Sequence, residues 1–246
     1  MKILCINTAF AEAHIAFKNE SIQIFRKINA EAKSSENILP AIEKVLYEQS
    51  ISPKELTYIA TVVGPGSFTG IRIGTAIAKG SVCTVPTIKL IAINSLDLMA
   101  YEFLKNKNSN ERQNVPQVDL SNDKNPKTFY CIQNAHSKRF FIAKYNFVGE
   151  RISDYALVNK LPENAILIKL ECEDFEIPPN FVFDNSDNVK NSSVLINIKL
   201  KPETLLEVAL KYIEEIKITD LQNFEPVYIR LSQAEENLIK SKCKKS

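Results

Sequence analysis

The sequence predicts an α/β protein of two lobes, and three features of its 246 residues carry that expectation. Residues 56–83 pack a strand, a glycine-rich turn and a helix into one continuous unit. Two meanders of short apolar runs, at 2–28 and 128–158, each open one half of the chain. Between them, residues 105–127 lose apolar periodicity and are crowded with Asn, Lys, Pro and Ser, as in a mobile excursion. The expected division is therefore an N-terminal lobe at 1–104, the excursion at 105–127 and a C-terminal lobe at 128–246.

Taken in order, apolar runs at 2–7, 13–17 and 22–28, separated by polar turns, read as an antiparallel meander. Residues 34–50 read as a helix. Ser34 or Ser35 caps it, and Ile38, Ile42, Val45, Leu46 and Gln49 recur at helical spacing. Pro40 sits near its start, where a first turn tolerates proline, or else delays the start. A strand at 58–63 stops at Gly-Pro-Gly, and a helix follows with Ser67 or Thr69 as N-cap. Residues 87–93 form the next strand and 94–104 the next helix, capped by Asn94 or Ser95. The second meander is expected at 128–133, 139–147 and 152–158, followed by strands at 165–170, 181–184 and 194–198. A helix at 203–217, with Pro202 at its start, precedes an extended stretch at 226–230 on the lobe surface and a lysine-rich, solvated tail.

The turn Gly64, Pro65, Gly66, Ser67, Phe68, Thr69, Gly70 has two physical uses. A glycine-rich strand-to-helix turn can aim bare amides and the helix dipole at a phosphate. Glycines also let two backbones pack closely. Phosphate motifs fit badly: no lysine follows before Lys79, the glycine spacing exceeds G-x-G-x-x-G by one residue, and Pro65 stands where a nucleophile elbow needs its first glycine. The helix beyond the turn carries a small-residue stripe, Gly70, Gly74 and Ala78. Ile71, Ile73 and Ile77 fall largely off it and are expected to face the parent sheet. The stripe is thus expected to accept a helix from outside.

Composition narrows the function classes. Lys plus Arg of 31 against Asp plus Glu of 29 leaves a net charge of only +2, which demands neither nucleic acid nor an anionic membrane. The five cysteines are odd in number and contain no C-x-x-C pair, as suits reduced thiols, and Cys5 and Cys131 read as core filler. No apolar run approaches a membrane helix and no signal peptide opens the chain, so a cytoplasmic protein is expected. The two histidines, His14 and His136, are far apart and form no metal motif.

The run V-V-G-P-G-S-F-T-G-I-R-I-G at 62–74 closely resembles the signature of the bacterial TsaB (YeaZ) family of tRNA threonylcarbamoyladenosine biosynthesis proteins. The resemblance extends to K-I-L-C-I-N-T-A at 2–9, S-S-E-N-I-L-P-A-I at 34–42, I-A-I-N-S-L at 91–96, F-Y-C-I-Q-N-A at 129–135 and P-V-Y-I-R at 226–230. It implies the two-lobed actin-like ATPase (ribonuclease-H-like) fold. In that superfamily an acid ends the first strand and another begins the second lobe's first turn. Here those positions resemble Asn7, followed by Thr8, and Asn134, so the three mark a vestigial nucleotide site. Amides bring no negative charge to a metal, which argues against phosphoryl transfer.

What the resemblance implies is a subunit without catalytic residues, metal or cofactor of its own. It would support TsaD, which transfers a threonylcarbamoyl group to N6 of adenosine 37 in tRNAs reading ANN codons. A TsaE ATPase would join, tRNA would be met only through the complex, and the isolated chain could form a homodimer. The helices at 34–50 and 70–83 would form the partner face through Ile38, Ile42, Val45, Gly70, Gly74 and Ala78. The alternative is an active nucleotide-dependent enzyme of the same fold, either a small-substrate kinase or a glycoprotease-like hydrolase.

Overall fold

The computed structural model describes residues 1–28, 34–108, 127–136, 138–173, 181–183 and 193–229. The first sheet is built on β1 (Ile3–Asn7), whose five residues are all buried. It pairs antiparallel with β2 (Ala13–Lys18) and parallel with β4 (Tyr58–Gly64), and β3 (Gln23–Ile28) and β5 (Lys89–Asn94) complete the order β3-β2-β1-β4-β5. Both faces of β1 are covered. Ile3 and Cys5 enter one core and Leu4 and Ile6 the other, which is why the strand reads as an unbroken apolar run rather than an alternation.

The second sheet repeats the scheme. It comprises β6 (Thr128–Asn134), β7 (Phe140–Asn146), β8 (Ala156–Val158), β9 (Ile166–Leu170), β10 (Phe181–Phe183) and β11 (Ser193–Ile198) in the order β10-β11-β9-β6-β7-β8. An antiparallel β6–β7 hairpin opens it, and β9 joins β6 in parallel.

Helix α1 (Ser34–Glu48) and helix α2 (Phe68–Thr84) pack side by side on the outer face of the first sheet. Helix α3 (Ser95–Asn108) touches both sheets, and α4 (Pro202–Glu214) packs on α3 and on β1, β2, β3 and β5. One apolar core therefore runs from Ile3 to Ile198, with Phe103 of α3 at 4.8 Å from the Phe129 ring. Phe224 and Val227 return to the core beneath α1 and α2, tied by a 2.8 Å bond from Val227 N to the Val63 carbonyl.

Several boundaries differ from the sequence reading. Helix α3 runs four residues beyond the expected end at 104, and its last turn is tied down by Lys105 Nζ donating to Glu207 Oε1 of α4 at 2.6 Å and Asn106 Nδ2 donating to Glu102 Oε1 at 3.0 Å. Helix α1 starts at Ser34, so exposed Pro40 lies in its second turn. Residues 152–155 are not strand; Tyr155 instead donates its hydroxyl to Asp97. Most of the 105–127 excursion and the lysine-rich tail lie outside the described residues.

Candidate functional site

The glycine turn is folded inward. Gly64 has a φ of +116°, a conformation open to glycine but costly for a residue with a side chain, and a Cβ there would stand 3.1 Å from the Val227 carbonyl. Ser67 is the N-cap of α2, its Oγ accepting from Gly70 N at 3.2 Å, so of the two capping candidates Ser67 is used. Ser67 N donates to the Ala9 carbonyl at 2.8 Å and Thr8 Oγ1 donates to the Gly70 carbonyl at 2.6 Å. A Cβ on Gly66 would stand 2.5 Å from the Ala9 oxygen, and one on Gly70 1.8 Å from the Thr8 oxygen. The turn thus lies backbone to backbone on the β1–β2 connection.

The same contacts reverse the expected register of α2. A Cβ on Gly74 would meet Thr61 Oγ1 at 2.7 Å and Thr8 Oγ1 at 2.8 Å, so Gly70 and Gly74 face the parent sheet and Ala78 is wholly buried. Ile71 is buried as well, whereas Ile73 and Ile77 are only half-buried. Sequence spacing identified a small-residue stripe correctly but placed it on the wrong side, because threonines at 8 and 61 leave so little room that only glycine fits opposite them.

Ile38, Ile42 and Val45 are likewise core residues, buried between α1 and the sheet. The outer surface of the two helices is carried by other residues. Tyr47 is 86 % exposed and Leu39 49 %, both on α1. On α2, Arg72, Ala76, Gly80 and Cys83 are exposed, and a Cβ on Gly80 would meet nothing within 4 Å. At the N-terminal end of α2 the Arg72 guanidinium lies 3.6 Å over the Phe68 ring and its Nε donates to the Tyr228 hydroxyl at 2.7 Å. This solvent-facing aromatic–arginine cluster was not legible in the sequence, since Tyr228 comes from a return 156 residues along the chain.

Between the sheets, Asn7 and Thr8 are buried. Asn7 Oδ1 accepts from Ala9 N at 3.1 Å, so its amide oxygen is spent on the turn, while Nδ2 has no partner among the described residues. Asn134 closes the β6–β7 turn, its Oδ1 accepting from His136 N at 2.8 Å. Asn94 Oδ1 accepts from Leu96 N and so caps α3. From here a polar chain crosses the cleft. Ser95 Oγ donates to the Pro65 carbonyl and lies 3.3 Å from Gln133 Oε1, and Gln133 in turn bonds the Glu173 side chain.

Glu173, in the turn that follows β9, is the ionisable group sequence reading missed. Its Oε2 accepts from Asn134 N at 2.9 Å. Burial pushes its carboxyl up to about 7, against the Asn134 amide, Lys169 and Gln133, which favour the ionised form. The only sequence signal was the acidic run Glu171, Glu173 and Asp174 after an apolar strand. His136 is an exposed turn residue with φ +59°. Among the described residues no three His, Cys, Asp or Glu side chains are grouped to hold a metal ion.

With this geometry in hand, comparison with known proteins is direct. The family described as "TsaD: tRNA N6-adenosine threonylcarbamoyltransferase" matches residues 28–156, more than half of the chain. The tRNA threonylcarbamoyladenosine biosynthesis protein TsaB of Buchnera aphidicola from Schizaphis graminum is 35 % identical over 98 residues, 40 % of this chain and 46 % of that protein. The protein of the same name in Bacillus subtilis is 34 % identical over 101 residues, 41 % of this chain and 44 % of that one. The match thus spans somewhat less than half the length of these curated relatives. The solved structure of YeaZ from Pseudomonas aeruginosa superposes with a TM-score of 0.66 at 16 % identity, covering 92 % of this chain and 99 % of that one, which establishes a shared fold. Signature turn, two-sheet actin-like architecture and family match agree, and the chain belongs to the TsaB/YeaZ family.

Proposed function

We propose that this chain is a non-catalytic subunit of the cytoplasmic machinery that places threonylcarbamoyl on N6 of adenosine 37 in tRNAs reading ANN codons. It acts by binding a TsaD-type catalytic subunit, with a TsaE-type ATPase joining the assembly and tRNA met only through it. The observation that carries this reading is the inward packing of the glycine turn on Thr8 and Ala9, which spends on internal contacts the backbone that a phosphate site would need. Asn7 and Asn134 support it, because neither amide supplies charge for a catalytic metal. The partner surface is the outer face of α1 and α2, where Leu39, Tyr47, Ala76 and Gly80 present apolar and small side chains to solvent. The six residues that the resemblance implied for the partner face act beneath that surface, fixing the two helices on the sheet. In isolation the same face can pair two copies of the chain.

The test is reconstitution. The chain, its own organism's TsaD and TsaE, threonylcarbamoyl-AMP and tRNA should yield modified adenosine, and omission of the chain should abolish it. Modification at the full rate without the chain would overturn the proposal. A second reading, a nucleotide-dependent enzyme, draws on Glu173, a carboxyl poised near neutrality in the cleft as a general base would be. It requires turnover by the purified chain that vanishes in Glu173→Gln.

A further inference from the structure

Four groups from separate parts of the chain meet in one hydrogen-bonded row: the Pro65 carbonyl in the glycine turn, Ser95 at the start of α3, Gln133 near the end of β6 and Glu173 in the turn after β9. Pro65, Ser95 and Gln133 are buried, so their polar atoms have to satisfy one another. Glu173 is half-buried, which leaves it a route to solvent protons.

Counting hydrogens along the row exposes a conflict. Ser95 Oγ carries one hydrogen and faces two acceptors, the Pro65 carbonyl, to which it donates, and Gln133 Oε1 at 3.3 Å. With the hydrogen on Pro65, Ser95 turns a lone pair toward an amide oxygen. That orientation of the Gln133 amide is set at its other end, where its NH2 donates to the Glu173 side chain and favours the ionised carboxylate. Protonation of Glu173 removes the conflict. The new hydroxyl donates to Gln133 Oε1, the amide turns over about χ3, Nε2 donates to Ser95 Oγ, and the one Ser95 hydrogen goes wholly to Pro65. Asn134 N, 2.9 Å from Glu173 Oε2, keeps an acceptor in both states.

We propose that the Gln133 side chain is a two-position relay set by the proton on Glu173, which turns the amide over and so decides whether Ser95 gives its hydrogen to the glycine turn alone. The proton is taken from solvent and returned to it, and no covalent bond other than that O–H is made or broken. Burial pushes the Glu173 carboxyl up to about 7, which puts the turnover in the neutral range. Among the described residues the charged group that acts on it is Lys169 of β9, whose Nζ also donates to the Glu173 carbonyl oxygen at 2.6 Å. Cys172, in the same turn, is kept a thiol by burial and by Glu173, and Glu12 of the β1–β2 connection acts on that thiol. What β6 and α3 bring to the row is uncharged: Gln133, the Asn134 amide and Ser95. Because Ser67 of the same turn caps α2, the relay reaches from the second sheet to the start of that helix. The inference rests on this row of hydrogen bonds, and its test needs neither a partner protein nor turnover.

The experiment follows the full chain by nuclear magnetic resonance between about pH 5.5 and 8.5. The ¹³C resonances of the Glu173 carboxyl and the Pro65 carbonyl and the ¹⁵N resonance of the Gln133 side-chain amide should move with one common midpoint. Glu173→Gln, whose amide donates as the protonated acid does, should hold Pro65 and Gln133 at the parent's low-pH positions throughout. Gln133→Leu, if folded by circular dichroism, should keep the Glu173 titration and lose that of Pro65, because the field of a carboxylate would survive this change and a relay would not. If it does not fold, Glu173→Gln decides alone. A Pro65 carbonyl that is flat in the parent, that still titrates in Glu173→Gln or in folded Gln133→Leu, or that rests at the parent's high-pH position in Glu173→Gln would each overturn the proposal.

Discussion

Replacing Gly70 and Gly80 by alanine should shift stability in opposite directions, although both glycines lie in α2. In a helix interior, alanine is favoured over glycine by roughly 0.5–1 kcal/mol through backbone entropy and propensity. At Gly80 nothing lies within 4 Å of the new Cβ, so the full gain should appear. At Gly70 the Cβ would stand 1.8 Å from the Thr8 carbonyl oxygen, a backbone atom that cannot swing aside. Relieving the clash means sliding the first turn of α2 away from the β1–β2 connection by more than an ångström. That movement breaks the Thr8 Oγ1 bond to the Gly70 carbonyl and strains the Ser67 N bond to Ala9. Overpacking of this kind costs about 1–3 kcal/mol and a lost buried hydrogen bond about 1 kcal/mol more. Net of the helix gain, Gly70→Ala should destabilise by about 2–3 kcal/mol. Urea unfolding followed by circular dichroism measures both, with an unchanged slope identifying a true stability effect. In a chain of this size the corresponding melting shifts are roughly 4–12 °C downward for Gly70→Ala and up to about 4 °C upward for Gly80→Ala. A neutral Gly70→Ala, or equal losses at both sites, would refute the inward packing of the turn.

Glu173 has its folded pKa raised, so it contributes stability at low pH that is lost as pH rises from its unfolded value toward about 7. Glu173→Gln should therefore gain on the order of 2 kcal/mol relative to the parent at pH 8 and little at pH 4.5, read from denaturant midpoints; a loss at pH 8 would count against the burial argument. His14 has the opposite sign. Its depressed pKa gives stability present above its unfolded value and lost as pH falls, so the parent should lose more stability than His14→Gln between about pH 7.5 and 5.5. The two effects overlap and partly cancel in the parent, which is why each needs its own variant. The isolated chain should not hydrolyse ATP above background; turnover that disappears in Asn7→Ala would contradict the assignment of Asn7 to the turn.

Much of the fold was legible because strand and helix signals here are strong. The β-branched run before Gly64, the Ser67 cap and the Asn94 cap each place an element end within a residue or two. What could not be read was direction across an element. The stripe of Gly70, Gly74 and Ala78 shows helical spacing, yet spacing does not say which side meets the sheet. That was decided by Thr8 in the β1–β2 connection and Thr61 in β4, which crowd α2. The polar chain from Pro65 through Ser95 and Gln133 to Glu173 was hidden for a related reason. Its members lie 30 to 40 residues apart in successive steps and meet only because β4, α3, β6 and β9 all end at the same cleft. Similarly, α4 gave no sign in its sequence that it would lie on the first sheet rather than the second.

The central claim is that the solvent face of α1 and α2, not their buried small-residue stripe, receives the partner. Titration calorimetry of the chain with its own organism's TsaD tests it most directly, comparing the parent with Tyr47→Ala and Gly80→Trp. Both sites are exposed, so both variants should melt close to the parent. Removing an exposed aromatic anchor, or placing an indole where a close helix must pass, should each cost about 2 kcal/mol or more of binding, at least ~30-fold in affinity. Parent-like affinity in both folded variants would contradict the assignment of this face, and absence of binding by the parent chain itself would contradict the subunit role.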